Sequence, residues 1–395
     1  MLKKISLVGL LLAVCISGFS VINNYEHLYL YPYPYSYGIG KAINSIDALD
    51  IEGFLFNPGL ASSKFSIKVT SVSLMLNTTG INTLSDLSSV LGADTTKVVS
   101  YAFDLIGKPI NLGAYLGVVS LNIPISDFNL ALGILNLNLT PFIEFHNPLS
   151  SAGFLDTRLS SIFSGYIGLN YSFKNILTGD KDLDKYLSQL SVGLNLKIYL
   201  AGGIEKNFGI DELIQGNVNI SGESLLSNLL TPRIAPDFGI LYKIPTDGQN
   251  GEKQRVNIGI SAKDIGGIIL NNKVLIPTTF NLGASYFIDL SEMIGSSLVF
   301  KKNYIALDLH DIFFQRRDKD FFKRVHIGIH SEILNFNDLI NFRLGLGINQ
   351  GYPSFGFGLK LVALDISFSG YTEELGVYAG QDPDTRYVLS VSLGY

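Results

Sequence analysis

The chain has no tryptophan and a single cysteine, and only 16% of its 395 residues are charged. Cys15 lies in an N-terminal segment predicted to be removed, so the mature chain offers no disulfide and no cysteine metal site. Beyond the N-terminus no run of about 18 apolar residues occurs, which excludes a membrane-spanning helix. The formal net charge of −5 argues against a nucleic-acid partner.

Apolar and small residues are abundant instead. Hydrophobic residues make up 47% of the chain, the mean hydropathy is +0.30, and there are 40 Gly, 20 Tyr and 25 Phe. In lipid only helices and closed barrels pair every backbone group, so an apolar chain without a spanning helix points to a closed β-barrel. Any aromatic girdle at the membrane boundary must then consist of Tyr and Phe.

Residues 1–20 have the pattern of a signal peptide. Lys3 and Lys4 precede an apolar core over 7–16, and a small-residue stretch follows over 17–20. A lipoprotein signal would need a small residue before Cys15, where the chain has valine. We therefore expect export and a location in the cell outer membrane.

Residues 21–64 differ from the rest in being rich in Tyr and Pro near their start. Pro32 and Pro34 oppose both a helix and a central strand, and Asn57-Pro58-Gly59 is a turn signal. We expect an N-terminal plug segment over 21–64, followed by the barrel over 65–395.

From residue 65 onward, segments of eight to twelve residues alternate between apolar and polar side chains, as half-buried strands do. The interpretation is an all-β fold, an antiparallel transmembrane barrel of about fourteen strands. An even number lets both termini lie on one side, and the connections alternate between long and short, as the outer and periplasmic loops of such barrels do. The predicted strands span 65–77, 110–122, 128–140, 161–174, 191–201, 235–244, 255–263, 278–288, 302–310, 323–332, 340–349, 353–361, 364–370 and 386–395.

The last ten residues carry one apolar row at every second position: Tyr387, Leu389, Val391, Leu393 and Tyr395. Ten residues are the length of a tilted strand that crosses a bilayer. We expect this strand to close the barrel against 65–77, to face outer-membrane lipids, and to be the part that the barrel-assembly machinery contacts. An edge strand in a soluble β-sandwich is the alternative, which the low charge and the loop lengths disfavour.

Two long outer loops, 81–107 and 204–230, have apolar residues close to helical spacing. Apolar side chains on a loop in water must be buried against something. They either pack only on one another over the barrel mouth, or form a groove for a hydrophobic small molecule such as a fatty acid. The candidate groove residues are Val98, Phe103, Leu213, Ile214, Leu225, Leu226 and Leu229.

Six polar residues share the lumen phase of two neighbouring strands: Tyr304, Asp308, His310, His326, His330 and Glu332. A hairpin that sets residue 310 opposite 324 places Asp308 beside His326 and Tyr304 beside His330, at distances where cross-strand pairs interact. This cluster is either a polar relay or ligand site, or a hydrated wall whose charges balance.

We predict no metal site there, since His326 and His330 rise about 13 Å apart along one strand, too far to chelate one ion. No cofactor motif and no catalytic constellation occurs, so no enzymatic activity is predicted.

Four short stretches together resemble the FadL-like outer-membrane family, especially its PorV-type and conjugal-transfer TraF-like branch. The resemblance covers most of the mature chain. The matching stretches are Phe56-Asn57-Pro58-Gly59-Leu60-Ala61, Ile276-Pro277-Thr278-Thr279-Phe280-Asn281-Leu282-Gly283, Asn349-Gln350-Gly351-Tyr352-Pro353 and Gly370-Tyr371-Thr372-Glu373-Glu374-Leu375-Gly376.

The resemblance implies a fourteen-stranded barrel plugged from the periplasmic side by its N-terminal segment. Family members have an Asn-Pro-Ala turn in that plug, which Asn57 and Pro58 match and Gly59 does not. FadL-like proteins move hydrophobic molecules, including long-chain fatty acids, across the outer membrane, and a gate at residues 57–59 would follow. PorV-type members instead serve secretion as partners of other proteins, and a structural barrel without transport is the alternative function.

Overall fold

The structure is a computed structural model. It describes residues 35–47, 53–60, 64–90, 95–147, 154–175, 178–209, 232–246, 252–270, 273–296, 298–314 and 320–394. The predicted signal peptide and the Pro-rich stretch at 32–34 lie outside these ranges.

Fourteen antiparallel strands form a closed barrel, which confirms the predicted fold class. Every barrel strand pairs with its neighbour along the chain, apart from a small two-stranded sheet, β8–β9, inserted between β7 and β10. The strands are β1 (Ser66–Asn77), β2 (Ile110–Ile125), β3 (Phe128–Phe145), β4 (Leu155–Ser172), β5 (Leu190–Phe208), β6 (Pro232–Pro245), β7 (Gln254–Lys263), β8 (Ile268–Leu270), β9 (Lys273–Ile276), β10 (Thr279–Ile288), β11 (Asn303–Leu309), β12 (Val325–Phe336), β13 (Ile340–Asn349), β14 (Tyr352–Leu361), β15 (Leu364–Glu374) and β16 (Pro383–Gly394).

Among the described residues the helices are few and short. They are α1 (Tyr35–Gly38), α2 (Gly53–Phe56), α3 (Thr78–Val90), α4 (Thr95–Asp104), α5 (Lys181–Leu187) and α6 (Ser291–Ile294), with single 3₁₀ turns at Phe173–Asn175 and Phe322–Arg324. Within the described ranges no helix has the length and apolar character needed to cross a membrane.

The two faces of the strands differ in chemistry, as the alternation predicts. On β12, His326 and His330 are buried inside the barrel, while Ile327 and Ile329 between them point outward and are exposed. The same outward exposure recurs around the wall, for example at Leu194 on β5 and Leu346 on β13. An outer surface of aliphatic and aromatic side chains with a polar interior is that of a barrel whose solvent is lipid.

The closing strand β16 pairs with β1, as predicted, with Leu389 opposite Leu74 and Val391 opposite Val72. Leu389, Val391 and Leu393 are each 39–48% exposed on the outer face. Tyr395, the last residue of the predicted row, lies outside the described residues.

Several strands run further than the alternation alone predicted. β3 continues to Phe145 and β5 to Phe208, and β4 begins at Leu155. Their partners continue equally far, so the hairpin ladders extend past the apolar band. Residues 204–208, predicted as part of a helical loop, are therefore strand.

The barrel has two unlike ends. The loop end carries the longer connections, among them 78–109, 209–231 and 264–278. The terminal end carries shorter ones, such as 126–127 and 337–339, together with residues 64 and 394. The N-terminal segment therefore enters β1 from the terminal end.

Candidate functional site

The lumen is filled by the chain's own N-terminal segment. Residues 35–47 and 53–60, here called the plug, lie inside the barrel and are almost completely buried. Tyr35, Ile39 and Ile46 are each 0% exposed, although the wall around them is lined mostly by polar side chains. The plug thus supplies the apolar core that the lumen wall lacks.

Three groups of plug side chains reach three different sectors of the wall. Tyr35, Ile39, Ile43 and Ile46 pack with Phe56 and with a wall patch of Phe287, Tyr304 and Ala306. Tyr37 packs on the seam side, with Met75, Tyr115, Tyr371 and Val388. Phe54 packs on the third side, with Ala131 and Tyr166. Each buried aliphatic or aromatic side chain contributes about 1.5–3 kcal/mol to the stability of the packed plug. Because the three groups contact different sectors of the wall, this packing holds the plug across the full width of the lumen.

Glycines on the wall let the plug backbone come close. A Cβ placed on Gly193 of β5 would lie 1.9 Å from the carbonyl oxygen of Pro58, and one on Gly259 of β7 would lie 2.0 Å from that of Asn44. Across the barrel, a Cβ on Gly328 of β12 would lie 2.3 Å from the carbonyl oxygen of Ile39. No other residue fits at such distances, so these wall positions are shaped to the plug.

Two asparagines tie the two parts of the plug to each other and to the wall. The Nδ2 of Asn57 donates to the carbonyl oxygens of Asn44 (2.8 Å) and Ile240 (3.1 Å). The Nδ2 of Asn44 donates to the carbonyl oxygen of Gly259 (2.8 Å), and its backbone N–H donates to the Asp308 carboxylate (2.7 Å). These bonds satisfy plug backbone groups that would otherwise be buried without a partner.

The predicted Asn57-Pro58-Gly59 turn ends helix α2. The Oδ1 of Asn57 accepts from the N–H of Gly59 (2.8 Å), and the carbonyl of Pro58 accepts from Asn170 (2.8 Å). A Cβ on Gly59 would lie 2.6 Å from the backbone of Ile240. That contact gives a steric reason why this chain has glycine where the resembled family has alanine.

Asp47 is the electrostatic anchor of the plug at the terminal end. Its carboxylate contacts Lys243 (2.5 Å) and Arg255 (2.9 Å) and accepts from the hydroxyl of Tyr304 (2.8 Å). Burial alone would raise the pKa of Asp47, but the charges of Lys243 and Arg255 outweigh it and hold that pKa well below its usual value. The carboxylate is therefore ionised, and paired, at neutral pH.

Lys41 is the corresponding anchor nearer the loop end. Its ammonium lies 2.5 Å from the Glu373 carboxylate on β15 and over the rings of Tyr37 and Tyr371. Those two rings stack with centroids 4.2 Å apart. Lys41 thus ties the plug to the wall beside the barrel seam.

The lumen polar cluster predicted from sequence faces the plug. Tyr304 lies opposite His330, and Asp308 opposite His326, which confirms the predicted hairpin register. The Nδ1 of His330 is 3.0 Å from the hydroxyl of Tyr35, and the Nδ1 of His326 is 2.9 Å from the carbonyl oxygen of Gly40.

The remaining members of that cluster do not converge on one point. His310 stacks on His326 at 4.1 Å and lies 3.5 Å from Asp308, whereas Glu332 pairs with Lys302 (3.0 Å) further towards the terminal end. Four members, Tyr304, Asp308, His326 and His330, thus contact the plug, whereas His310 and Glu332 contact other wall residues. Among the described residues, no three metal-ligating groups of this cluster have ligand atoms within 4.8 Å of one another.

A cavity of about 580 Å³ opens at the terminal end below the plug. Asp47 forms part of its roof, and its wall carries the ion pairs Lys302–Glu332 and Arg343–Asp365. On the other side of the plug a pocket of about 30 Å³ lies beside His310 and His326. The plug therefore lies between the vestibule at the terminal end and the loop end of the barrel.

The predicted hydrophobic groove is described only in part. Phe103 on α4 is 42% exposed and its ring lies 5.5 Å from that of Phe154. Val98 lies on the same helix, and its side chain is outside the description. The other groove candidates, Leu213, Ile214, Leu225, Leu226 and Leu229, lie outside the described residues.

Sequence reasoning missed one cluster of possible ligand atoms. Glu144 and His146 at the end of β3 and Asp156 on β4 bring one ligand atom each to within 4.8 Å of one another. The sequence signal for this cluster is weak. A Glu-x-His pair indicates a metal site only when a third ligand is known, and Asp156 is brought to it by the register of β3 and β4.

No protein-family model matches the chain, and no curated protein matches it. Among solved structures, the toluene transporter TodX of Pseudomonas putida is similar over 92% of this chain and 98% of its own, at 10% identity and a TM-score of 0.42. A FadL homologue of Pseudomonas aeruginosa is similar over 93% and 99%, at 9% identity and a TM-score of 0.46. The monoaromatic hydrocarbon channel CymD is similar over 91% and 96%, at 12% identity and a TM-score of 0.45. Sequence identities of 9–12% concern the fold alone.

Proposed function

We propose that the protein is a gated outer-membrane channel for the passive uptake of small hydrophobic molecules, long-chain fatty acids among them. The observation that carries the proposal is a closed lipid-facing barrel whose lumen is closed by a plug held through separable contacts. The plug is part of the chain's N-terminus and is not a strand of the wall, so it can shift while the ladders of β1 to β16 stay paired. The gate comprises the plug with its turn at residues 57–59.

The contacts of the plug favour a gate over a permanently sealed lumen. Hydrogen bonds and ion pairs such as Asp47–Arg255 and Lys41–Glu373 can be replaced by water when the plug moves. The vestibule of about 580 Å³ below the plug already gives water access to Asp47. Water could not replace the contacts of a plug that was held by apolar packing alone.

Exposed apolar side chains at the loop end support a hydrophobic cargo. Ile81 and Leu84 on α3 are 39% and 54% exposed, and Phe103 on α4 is 42% exposed. Apolar groups grouped on one water-facing surface mark a site that binds apolar molecules. The other groove residues predicted from sequence, Leu213, Ile214, Leu225, Leu226 and Leu229, lie outside the described residues.

Uptake of a labelled long-chain fatty acid by Gram-negative cells without their own uptake channel tests the proposal. Cells with the wild-type protein should take up the label faster than cells without it. Deletion of 210–230, which leaves β5 intact to Phe208, should abolish the difference. Phe103→Ser should reduce it, because it removes an apolar contact at the point of capture.

Leu183→Ser is the matched control, since Leu183 is a comparably exposed apolar residue (46%) on α5 at the terminal end. It should leave uptake unchanged. Unchanged uptake in the loop deletion would contradict capture at the loop end. A wild-type protein that transports no label but co-purifies with a large partner would instead support the structural or secretion-partner alternative.

A further inference from the structure

At the loop end, three potential metal ligands converge on one hairpin. Glu144 is the second-last residue of β3, His146 directly follows the strand, and Asp156 on β4 lies directly opposite Glu144. Their ligand atoms lie within 4.8 Å of one another. The backbone bond from the N–H of His146 to the carbonyl of Phe154 (2.8 Å) extends the ladder beyond Asp156 and fixes the mutual position of the two strands.

Asp156 supplies an independent sign of a missing partner. The residue is only 3% exposed, and its Oδ2 accepts from the Arg158 guanidinium. Its Oδ1 is buried and has no hydrogen-bond partner within the described part of the chain. A buried carboxylate oxygen without a donor destabilises the fold, and a bound cation would supply the missing partner.

The charges around the cluster also fit a dication. Asp382 acts electrostatically on Glu144, and the guanidinium of Arg158 pairs with Asp156. A dication would add a positive charge among these carboxylates. The imidazole favours a transition metal over Mg²⁺ or Ca²⁺, which prefer oxygen ligands alone.

We propose that Glu144, His146 and Asp156 form a site for a transition-metal dication such as Zn²⁺, with solvent at its open positions. The ion joins the ends of β3 and β4 at the base of the loop that carries Phe154. Phe154 packs against both Phe103 on α4 and Phe145 on β3. The metal therefore fixes the position of Phe154, against which Phe103 of α4 packs.

Zn²⁺ titration of the detergent-purified full-length protein, followed by calorimetry and by metal analysis after gel filtration, tests the site. We expect one ion per chain, and much weaker binding of Mg²⁺. His146→Ala should weaken Zn²⁺ binding by at least ~10-fold, the loss that follows removal of even an outer partner of a metal ligand. Glu144→Gln should do the same with no change in side-chain shape.

Asp86→Asn is the matched control, because Asp86 is an exposed carboxylate on α3 at the same end of the barrel. It should bind Zn²⁺ as the wild type does. Zn²⁺ should also raise the temperature at which the barrel loses its folded gel mobility, in the wild type and in Asp86→Asn but not in His146→Ala. Absence of stoichiometric binding, equal affinity for Mg²⁺, or unchanged binding by His146→Ala would each overturn the proposal, whether or not the protein transports fatty acids.

Discussion

Replacement of Asp47 by asparagine should loosen the plug without altering the wall. The carboxylate is 7% exposed and pairs with Lys243 and Arg255, which are 34% and 16% exposed. Removal of one partner of a buried ion pair costs about 3–5 kcal/mol. Because Lys243 keeps part of its hydration, we take the lower end, about 3 kcal/mol. A change of about 1.4 kcal/mol alters an equilibrium constant tenfold. The ratio of docked to displaced plug should therefore fall about 100-fold in Asp47→Asn.

Single-channel recording in planar bilayers measures that shift directly. Openings rare in the wild type should become about 100-fold more frequent in Asp47→Asn, with the conductance of each opening unchanged. Asp338→Asn is the matched control, since Asp338 lies beside the same vestibule and pairs with Lys64, which lies beyond plug residues 35–47 and 53–60, and that pair is exposed. It should behave as the wild type does. Identical opening frequencies in Asp47→Asn and Asp338→Asn would refute the assignment of Asp47 as an anchor.

Three further outcomes are expected. Gly193→Ala should displace Pro58 and increase openings, because its Cβ would lie 1.9 Å from the Pro58 carbonyl oxygen. Gly209→Ala, just after the end of β5, should not, because its Cβ would meet no atom of the described residues within 4 Å. Loss of residues 393–395 should prevent assembly, seen as the absence of the heat-modifiable folded band on gels, and a normal band would contradict the role of the β1–β16 seam. The pKa of Asp47 is lowered in the docked plug. The stabilisation that its carboxylate gives the docked plug is therefore complete above the free carboxyl pKa of about 3.9 and declines as the pH falls below that value. Opening frequency should therefore be flat from pH 8 to pH 5 and rise only in stronger acid.

The wall was predictable from sequence because lipid leaves few alternatives. Outward positions must be apolar and inward ones need not be, so the period of two in Phe342, Leu344, Leu346 and Ile348 fixes the phase of β13 on its own. Strand ends were less predictable. Beyond the apolar band both faces of a hairpin are wet, so the pattern fades while the ladder continues, as at the end of β5 near Phe208.

The plug contacts could not be predicted, because each joins residues far apart in the chain. Gly259 and Gly328 look like any small residues on a curved wall, and only the fold reveals that Asn44 and Ile39 touch them. The histidines on β12 were found, since they share a lumen phase, but their partners on the plug were not. The pairing of Asp156 with Glu144 was hidden for the same reason.

The close approach of plug and wall also limits how the sequence can drift. At Gly193 and Pro58, or at Gly328 and Ile39, neither surface has room for one additional carbon atom unless the other retreats. Substitutions on the two surfaces are therefore coupled over more than a hundred residues of chain. Among descendants of this protein, a larger residue on the lumen face of β5 or β12 should be accompanied by a compensating change, or a shortened turn, in residues 35–60.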